Sequence, residues 1–174
     1  MSEDAKQKDI MLTSQPSFEL GMPEGLKQKD IMRDTAVRYL GYANEVGEAF
    51  KPVFPRVLVP SYVIAFGYVF SDTAHKVVQA RAKGLPQGQV TRIGVDVLVW
   101  QTLASVIIPG QIIHTITAGA GKLFKSDVSF VKACPPLLRT WGPTIIGLSA
   151  IPLIIHPVDE AVDYLLDNTL RKIP

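Results

Sequence analysis

The chain reads as an all-α protein, a small multi-pass membrane helical bundle with amphipathic flanking helices. Three observations predict this. The stretch from Val90 to Phe124 is long and apolar: between Ile93 and Gly121 it holds one carboxylate, Asp96, and no Lys or Arg. The 174 residues are 47% hydrophobic with a mean hydropathy of +0.20, although 20% are charged; the charge lies mostly outside three apolar blocks. A soluble domain would intersperse its charges along amphipathic elements. Finally, apolar residues recur at helical spacing on both flanks of the apolar blocks.

Composition also sets limits. The net charge of +2 carries no basic block and no RNP-like aromatic pattern, so nucleic acid is not an expected partner. One cysteine, Cys134, excludes an intrachain disulfide. No apolar segment follows Met1 as in a secretory signal. Glu3, Asp4, Asp9 and Glu19 precede the first arginine, Arg33, unlike an Arg-rich mitochondrial presequence; a mitochondrial destination would require internal signals.

Residues 1–32 are polar and interrupted by Pro16, Gly21, Pro23 and Gly25, which predicts a disordered N-terminal tail. The hexamer Lys6-Gln-Lys-Asp-Ile-Met11 recurs as Lys27-Gln-Lys-Asp-Ile-Met32. It reads either as a duplicated docking motif or as a local duplication without function; two copies are too few for a solenoid. The membrane-embedded helical domain then occupies residues 33–174.

Arg33 to Phe50 predicts a helix capped by Asp34 or Thr35. Val37, Leu40, Ala43, Gly47 and Phe50 share its apolar face, with Arg38, Glu45 and Glu48 elsewhere. Gly41 and Gly47 permit close backbone approach. Val53 to Phe70 is the first span, 18 residues long, with Arg56 near one end able to snorkel and Pro60 expected to kink it. Ser71 to Arg92 is polar and basic, with a turn at Gly84-Leu-Pro-Gln-Gly88. Lys122 to Arg139 is basic again. Pro143 to Pro157 is the last apolar block, and Pro157 suits the first position of an amphipathic helix over Val158–Lys172. Val158, Val162, Leu165, Leu166 and Thr169 form that helix's apolar face.

Pro109-Gly110 leaves three spans, or four if it turns a hairpin. The hairpin puts both basic stretches on one side, which the positive-inside bias favours. Its arms of about 15 residues reach only roughly 22 Å, short of the ~30 Å hydrocarbon core, so the hairpin would be re-entrant or thin the bilayer.

Asp96 is an ionisable group in an apolar run, either functional or an interfacial residue capped by Arg92. Partners within reach of the sequence reading are Arg92, Arg56 and His114. Gln101 and His114 are expected to hydrogen-bond between helices. Gly110, Thr117, Gly119 and Gly121 give a small-residue surface for packing within the chain or against a second copy. Asp159, Asp163 and Asp167 stripe one helix face at four-residue spacing, as a solvated face or as a dock for a basic partner. No catalytic pair, nucleotide loop or metal-ligand motif is legible, and no cofactor is expected.

Three runs carry a resemblance: R-D-T-A-V-R-Y-L-G-Y-A-N-E-V-G-E-A-F at 33–50, D-V-L-V-W-Q-T-L-A-S-V-I-I-P-G at 96–110 and I-P-L-I-I-H-P-V-D-E-A-V-D-Y-L-L-D at 151–167. In this order they resemble the mitochondrial fission process protein family, from about residue 33 to the end. The long tail and its repeat depart from that family, whose leader is short and variable. The resemblance implies a non-enzymatic, multi-pass protein of the mitochondrial inner membrane that promotes fission and maintains membrane integrity and energetics. Its partners would be the lipid bilayer and other inner-membrane proteins. The residues alone also admit a small channel or transporter subunit built on Arg56, Asp96 and His114, or an accessory subunit of a respiratory or carrier complex.

Overall fold

The computed structural model describes residues 36–126, 131 and 134–172, and all its regular elements are helical. The expected tail over residues 1–32, its hexamer repeat and the caps Asp34 and Thr35 lie outside the described residues. A 3-10 helix, Ala36–Tyr42, leads into α1, Ala43–Phe50. A short 3-10 turn, Pro55–Val57, opens α2, Leu58–Ala82. After a four-residue turn come α3, Gln87–Gln101, a π-helical segment, Thr102–Ile107, and α4, Ile108–Phe124. The last element is α5, Pro136–Asn168, followed by a 3-10 turn at Leu170–Lys172.

Three continuous helical stretches are long and apolar enough to cross a membrane: Pro55–Ala82, Gln87–Phe124 and Pro136–Lys172. They run alternately up and down. One end of the bundle holds the starts of α2 and α5 and the end of α4, where the Phe124 ring packs over Gly142. The other end holds the α2–α3 turn and the C-terminus of α5. In α1 the chain runs antiparallel to α2, with Gly41 against Tyr68 and Gly47 against Ser61. It finishes where Phe50 and Phe54 meet the edge of Trp141 at ring-centre distances of 6.4 and 6.0 Å.

The hairpin at Pro109-Gly110 does not form. Proline removes one ladder donor and crowds the carbonyl four residues back. The π-helical segment just before it widens the helix, so that Ile108 N–H donates to Leu103 five residues earlier and the chain passes Pro109 without turning. Gln87–Phe124 is thus one continuous helical stretch, long and apolar enough to cross a membrane once, and Lys83 and Lys122 stand near opposite ends of the bundle.

Two further boundaries differ from the sequence reading. The polar stretch after Phe70 is helix as far as Ala82, because Asp72, Lys76 and Ala80 are buried at four-residue spacing. The loop shrinks to residues 83–86, where Gly84 adopts φ 73°, a left-handed conformation suited to glycine. Pro157 likewise starts nothing: α5 runs unbroken through Pro143, Pro152 and Pro157. Pro152 and Pro157 face outward, where each deletes a single ladder bond in a helix long enough to persist.

The outer faces are apolar: Val59, Val63 and Phe70 of α2 and Leu137, Ile145 and Leu153 of α5 are exposed. Inside, Trp100 and Ala104 pack on Val158, Val162 and Leu166, while Ala65, Val69 and Val106 form a second cluster. Leu165 and Thr169, expected on the same face, are exposed.

Close approach depends on small residues. A Cβ at Gly47 would overlap the Ser61 hydroxyl and lie 2.6 Å from the Ser61 Cβ. At Gly110 it would meet Asn44 Nδ2 and the Tyr62 hydroxyl, both at 3.0 Å. Thr117 is buried, its methyl against Gly147. Gly119 and Gly121 have open space where a Cβ would stand, so they pack against nothing within the described chain. Gly47→Ala is therefore expected to lower the unfolding free energy in detergent by about 1–3 kcal/mol. Gly119→Ala should be neutral or stabilising by up to about 1 kcal/mol, from helix propensity alone. Thermal melts of the two variants side by side check this.

Candidate functional site

The polar side chains are drawn into the bundle at three heights. The first group joins α2 to α3. Asp72 is fully buried; its Oδ2 accepts from Lys76 Nζ at 2.9 Å and from Gln101 Nε2 at 2.6 Å. Ser105 Oγ then donates to Gln101 Oε1 at 2.8 Å. A charge withdrawn from water is held only when paired and hydrogen-bonded, and this Asp–Lys pair, one helical turn apart, meets that condition. Gln101, expected to bond between helices, is thus the bridge.

The second group surrounds α1. Asn44, Glu45 and Glu48 are all buried, contrary to the expectation that the two glutamates lie off the packed face, while Leu40 of the expected apolar face is exposed. The contact face is the row Gly41, Asn44, Glu45, Glu48, at helical spacing. Asn44 Nδ2 donates to the Val106 carbonyl at 3.0 Å, within the π-helical segment. Tyr62 donates to Glu48 Oε1 at 3.1 Å. His114 Nδ1 lies 2.9 Å from Glu48 Oε2 and 3.2 Å from Lys51 Nζ. An unprotonated Nδ1 accepts from Lys51; a protonated one donates to Glu48. His114 therefore partners Glu48, not Asp96.

Glu45 differs from all of these. It is 0% exposed, and neither carboxylate oxygen has a hydrogen-bond partner among the described residues. Burial pushes its carboxyl from an ordinary 4.5 up to about 8; its own backbone opposes the rise and the Asp159 carboxylate adds to it. Beside this row a cavity of about 20 Å³ is lined by Gly41, Tyr42, Tyr68, Trp100, Gln101, Ser105 and Asp159.

The third group ties α5 to α3. Arg171 grips Asp96 with Nε at 2.8 Å and Nη2 at 3.1 Å. Its Nη1 reaches Asp163 at 3.0 Å and Asp167 at 2.8 Å. Arg92 donates to the Arg171 carbonyl at 3.0 Å. The bidentate fork is the geometry that guanidinium and carboxylate share. Asp96 is thus held by none of the partners read from sequence. Two of the aspartates read as a docking stripe, Asp163 and Asp167, share its arginine; the third, Asp159, faces the cavity. Arg56 stands exposed in the 3-10 turn before α2, at the opposite end from Asp96.

Sequence reasoning missed the roles of Asn44, Glu45, Glu48, Tyr62, Asp72, Lys76 and Ser105, and the pairing of Arg171 with Asp96. The signals were present in part: Gly41 shares helical spacing with three polar residues, and Asp72 and Lys76 are four apart. Among the described residues no group of three or more His, Cys, Asp or Glu side chains is placed to hold a metal.

The sequence was compared with known proteins. A family model described as Mitochondrial 18 KDa protein (MTP18) matches residues 26–92 and 85–166, most of the chain. The chain belongs to this family. Relatives called mitochondrial fission process protein 1 include one from Homo sapiens, 44% identical over 84% of this chain and 89% of its own length. Those from Caenorhabditis elegans and Danio rerio are 42% and 45% identical, over 86% and 84% of this chain and 92% and 90% of theirs. No solved structure matches. Family membership supports a role in mitochondrial fission for a mitochondrial protein whose helices can span a membrane.

Arg171→Ala should lower the unfolding free energy in detergent by about 1–3 kcal/mol, the range of charge-assisted hydrogen bonds, whereas Lys172→Ala should change it by less than about 0.5 kcal/mol. Glu45 gives a pH signature. The unfolded carboxyl ionises near 4.5 and the folded one near 8, so the folded state holds the extra proton between them and stability falls as pH rises through that window. One pKa unit being about 1.4 kcal/mol, the fall amounts to a few kcal/mol. Glu45→Gln should flatten it, with melts at pH 5 and pH 8 as the comparison.

Proposed function

We propose that this chain is a non-enzymatic, multi-pass integral protein of the mitochondrial inner membrane that promotes fission and maintains inner-membrane integrity and energetics. The observation that carries this reading is the inside-out distribution of polarity in a chain of this family. Three long helices present apolar faces outward, while Asp72 with Gln101 and Asp96 with Arg171 join one helix to another inside. A substrate site would instead present convergent polar groups to a sizeable cavity. A groove along the outer face of α2 is lined mostly by apolar side chains, Leu58, Val59, Val63, Phe66 and Phe70, with Glu48 and Tyr62 also bordering it, a surface suited to acyl chains. Partners in this reading are the bilayer and other inner-membrane proteins.

Two experiments test it. After alkaline carbonate extraction the protein should remain with the inner-membrane pellet, and its depletion should elongate the mitochondrial network and lower the inner-membrane potential. Recovery in the soluble fraction, or an unchanged network, would sink the reading. Protease protection on mitoplasts tests the arrangement of spans. Because α1 runs back along α2, tags at the two termini and in the 83–86 turn should become accessible together, and a tag between residues 125 and 135 should behave oppositely.

A further inference from the structure

The groove along α2 has a volume of about 590 Å³, within the range of about 300–1,000 Å³ typical of small-molecule sites. Its floor is open at Gly67, where a Cβ would meet nothing within 4 Å. Toward the α2–α3 turn it is bordered by the stacked rings of Phe66 and Phe70, 6.4 Å between centres. From Leu58 to Phe70 the helix rises about 18 Å, close to the ~15 Å that one leaflet contributes to the hydrocarbon core. The other end of the groove meets cations. Arg56 precedes Val59, Val63 and Phe70 by three, seven and fourteen residues, so this exposed guanidinium heads the same helical row. Lys51 stands beside Glu48 at the border of the groove, and exposed Lys122, Lys125 and Arg139 belong to the same end of the bundle. The carboxylate at the border, Glu48, is buried and already answered: the Tyr62 hydroxyl reaches it at 3.1 Å, His114 at 2.9 Å and Lys51 at 3.6 Å.

We propose that this groove binds one anionic diacyl phospholipid, with an acyl chain lying along α2 from Leu58 to Phe70 and the phosphate headgroup at Arg56 and Lys51. Length, charge and shape select this occupant. The groove matches the depth of a single leaflet, where an acyl chain ends and a membrane-spanning partner would continue. The cations at its head attract a headgroup of net negative charge and repel the ammonium of a zwitterionic one. A guanidinium at the end of an apolar row keeps its charge at headgroup level while its stem lies against lipid. A second transmembrane helix would pack through small residues, whereas the exposed row is valine and phenylalanine around one glycine. The proposal rests on the reading of the chain as an integral membrane protein and names the lipid that its α2 face selects.

The test is competition in native mass spectra of the full chain, purified in dodecyl maltoside and offered equal amounts of phosphatidylglycerol and phosphatidylcholine with the same acyl chains. One phosphatidylglycerol should be retained in preference to phosphatidylcholine. Arg56→Gln should weaken phosphatidylglycerol binding about fivefold, the effect of one basic residue at an anionic lipid surface. Gly67→Trp, which fills the groove at a position with open space, should abolish that binding. Phosphatidylglycerol with a photoreactive acyl chain should crosslink within residues 58–70. Equal retention of the two lipids overturns the proposal, as does undiminished retention of phosphatidylglycerol in Arg56→Gln or in Gly67→Trp. If Gly67→Trp does not fold, wild-type crosslinks spread alike over the outer faces of α2 and α5 overturn it. A dimer that Gly67→Trp dissociates, with no lipid retained, assigns the groove to a second copy and overturns it too. Carbonate extraction decides the membrane reading separately: a protein that stays in the pellet and shows no lipid preference refutes the lipid site alone.

Discussion

A bilayer offers no water to a buried polar side chain, so such a group is stabilised when another part of the protein answers it. That constraint fixes how the helices meet. Lipid tails are as apolar as leucine, so apolar faces alone give the helices no preferred register. Register comes from polar pins set at different heights: Asp72 with Gln101 between α2 and α3, Asn44 with the Val106 carbonyl between α1 and the π-helical segment, Asp96 with Arg171 between α3 and the tail of α5. Interhelical hydrogen bonds of this kind contribute about 0.6–2 kcal/mol each. They act together with Gly47 and Gly110, whose missing side chains let the pinned surfaces close.

The division of labour between inner and outer surface follows. The helix faces turned outward are built from valine, isoleucine, leucine and phenylalanine, and the buried clusters around Trp100 and Val69 are small. A short α1 with a polar inner face fills the space that three long helices leave between them, touching α2, α4 and α5. Within a family tied to mitochondrial fission, the molecule is thus a compact membrane body whose specificity is internal and whose exterior is fitted to lipid.

Fold class and family were legible in the sequence, because both rest on long uninterrupted signals: the apolar run around Ile93–Gly121 and the run Y-L-G-Y-A-N-E-V-G-E-A-F. Boundaries at prolines were not. Pro109 and Pro157 both read as boundaries, since the rule that proline ends a helix is a rule about isolated helices. Here a widened turn accommodates the first, and a long helix carries the second. The polar pairs were half legible. Gln101 stood out against an apolar background, but its partner Asp72 lay in a stretch that composition marked as loop. The pairing of Asp96 with Arg171 was not legible, because they lie 75 residues apart and nothing local links them. Glu45 and Glu48 were misplaced for a plainer reason: ionisable residues are normally on the solvated side of an amphipathic helix, and in α1 that preference is reversed.

The π-helical segment Thr102–Ile107 makes the long second stretch two helices in one, each keyed to different neighbours. Before it, Val97, Trp100 and Gln101 point inward; after it, Ile113 and Thr117 do. A turn closed over five residues instead of four accommodates one residue more than an ideal α-helical turn, and that extra residue sets the rotation of the second half against the first. The number of residues in this segment is therefore fixed. Loss or gain of a single residue there would turn one of the two inner faces toward lipid, without altering the composition by which a membrane span is recognised.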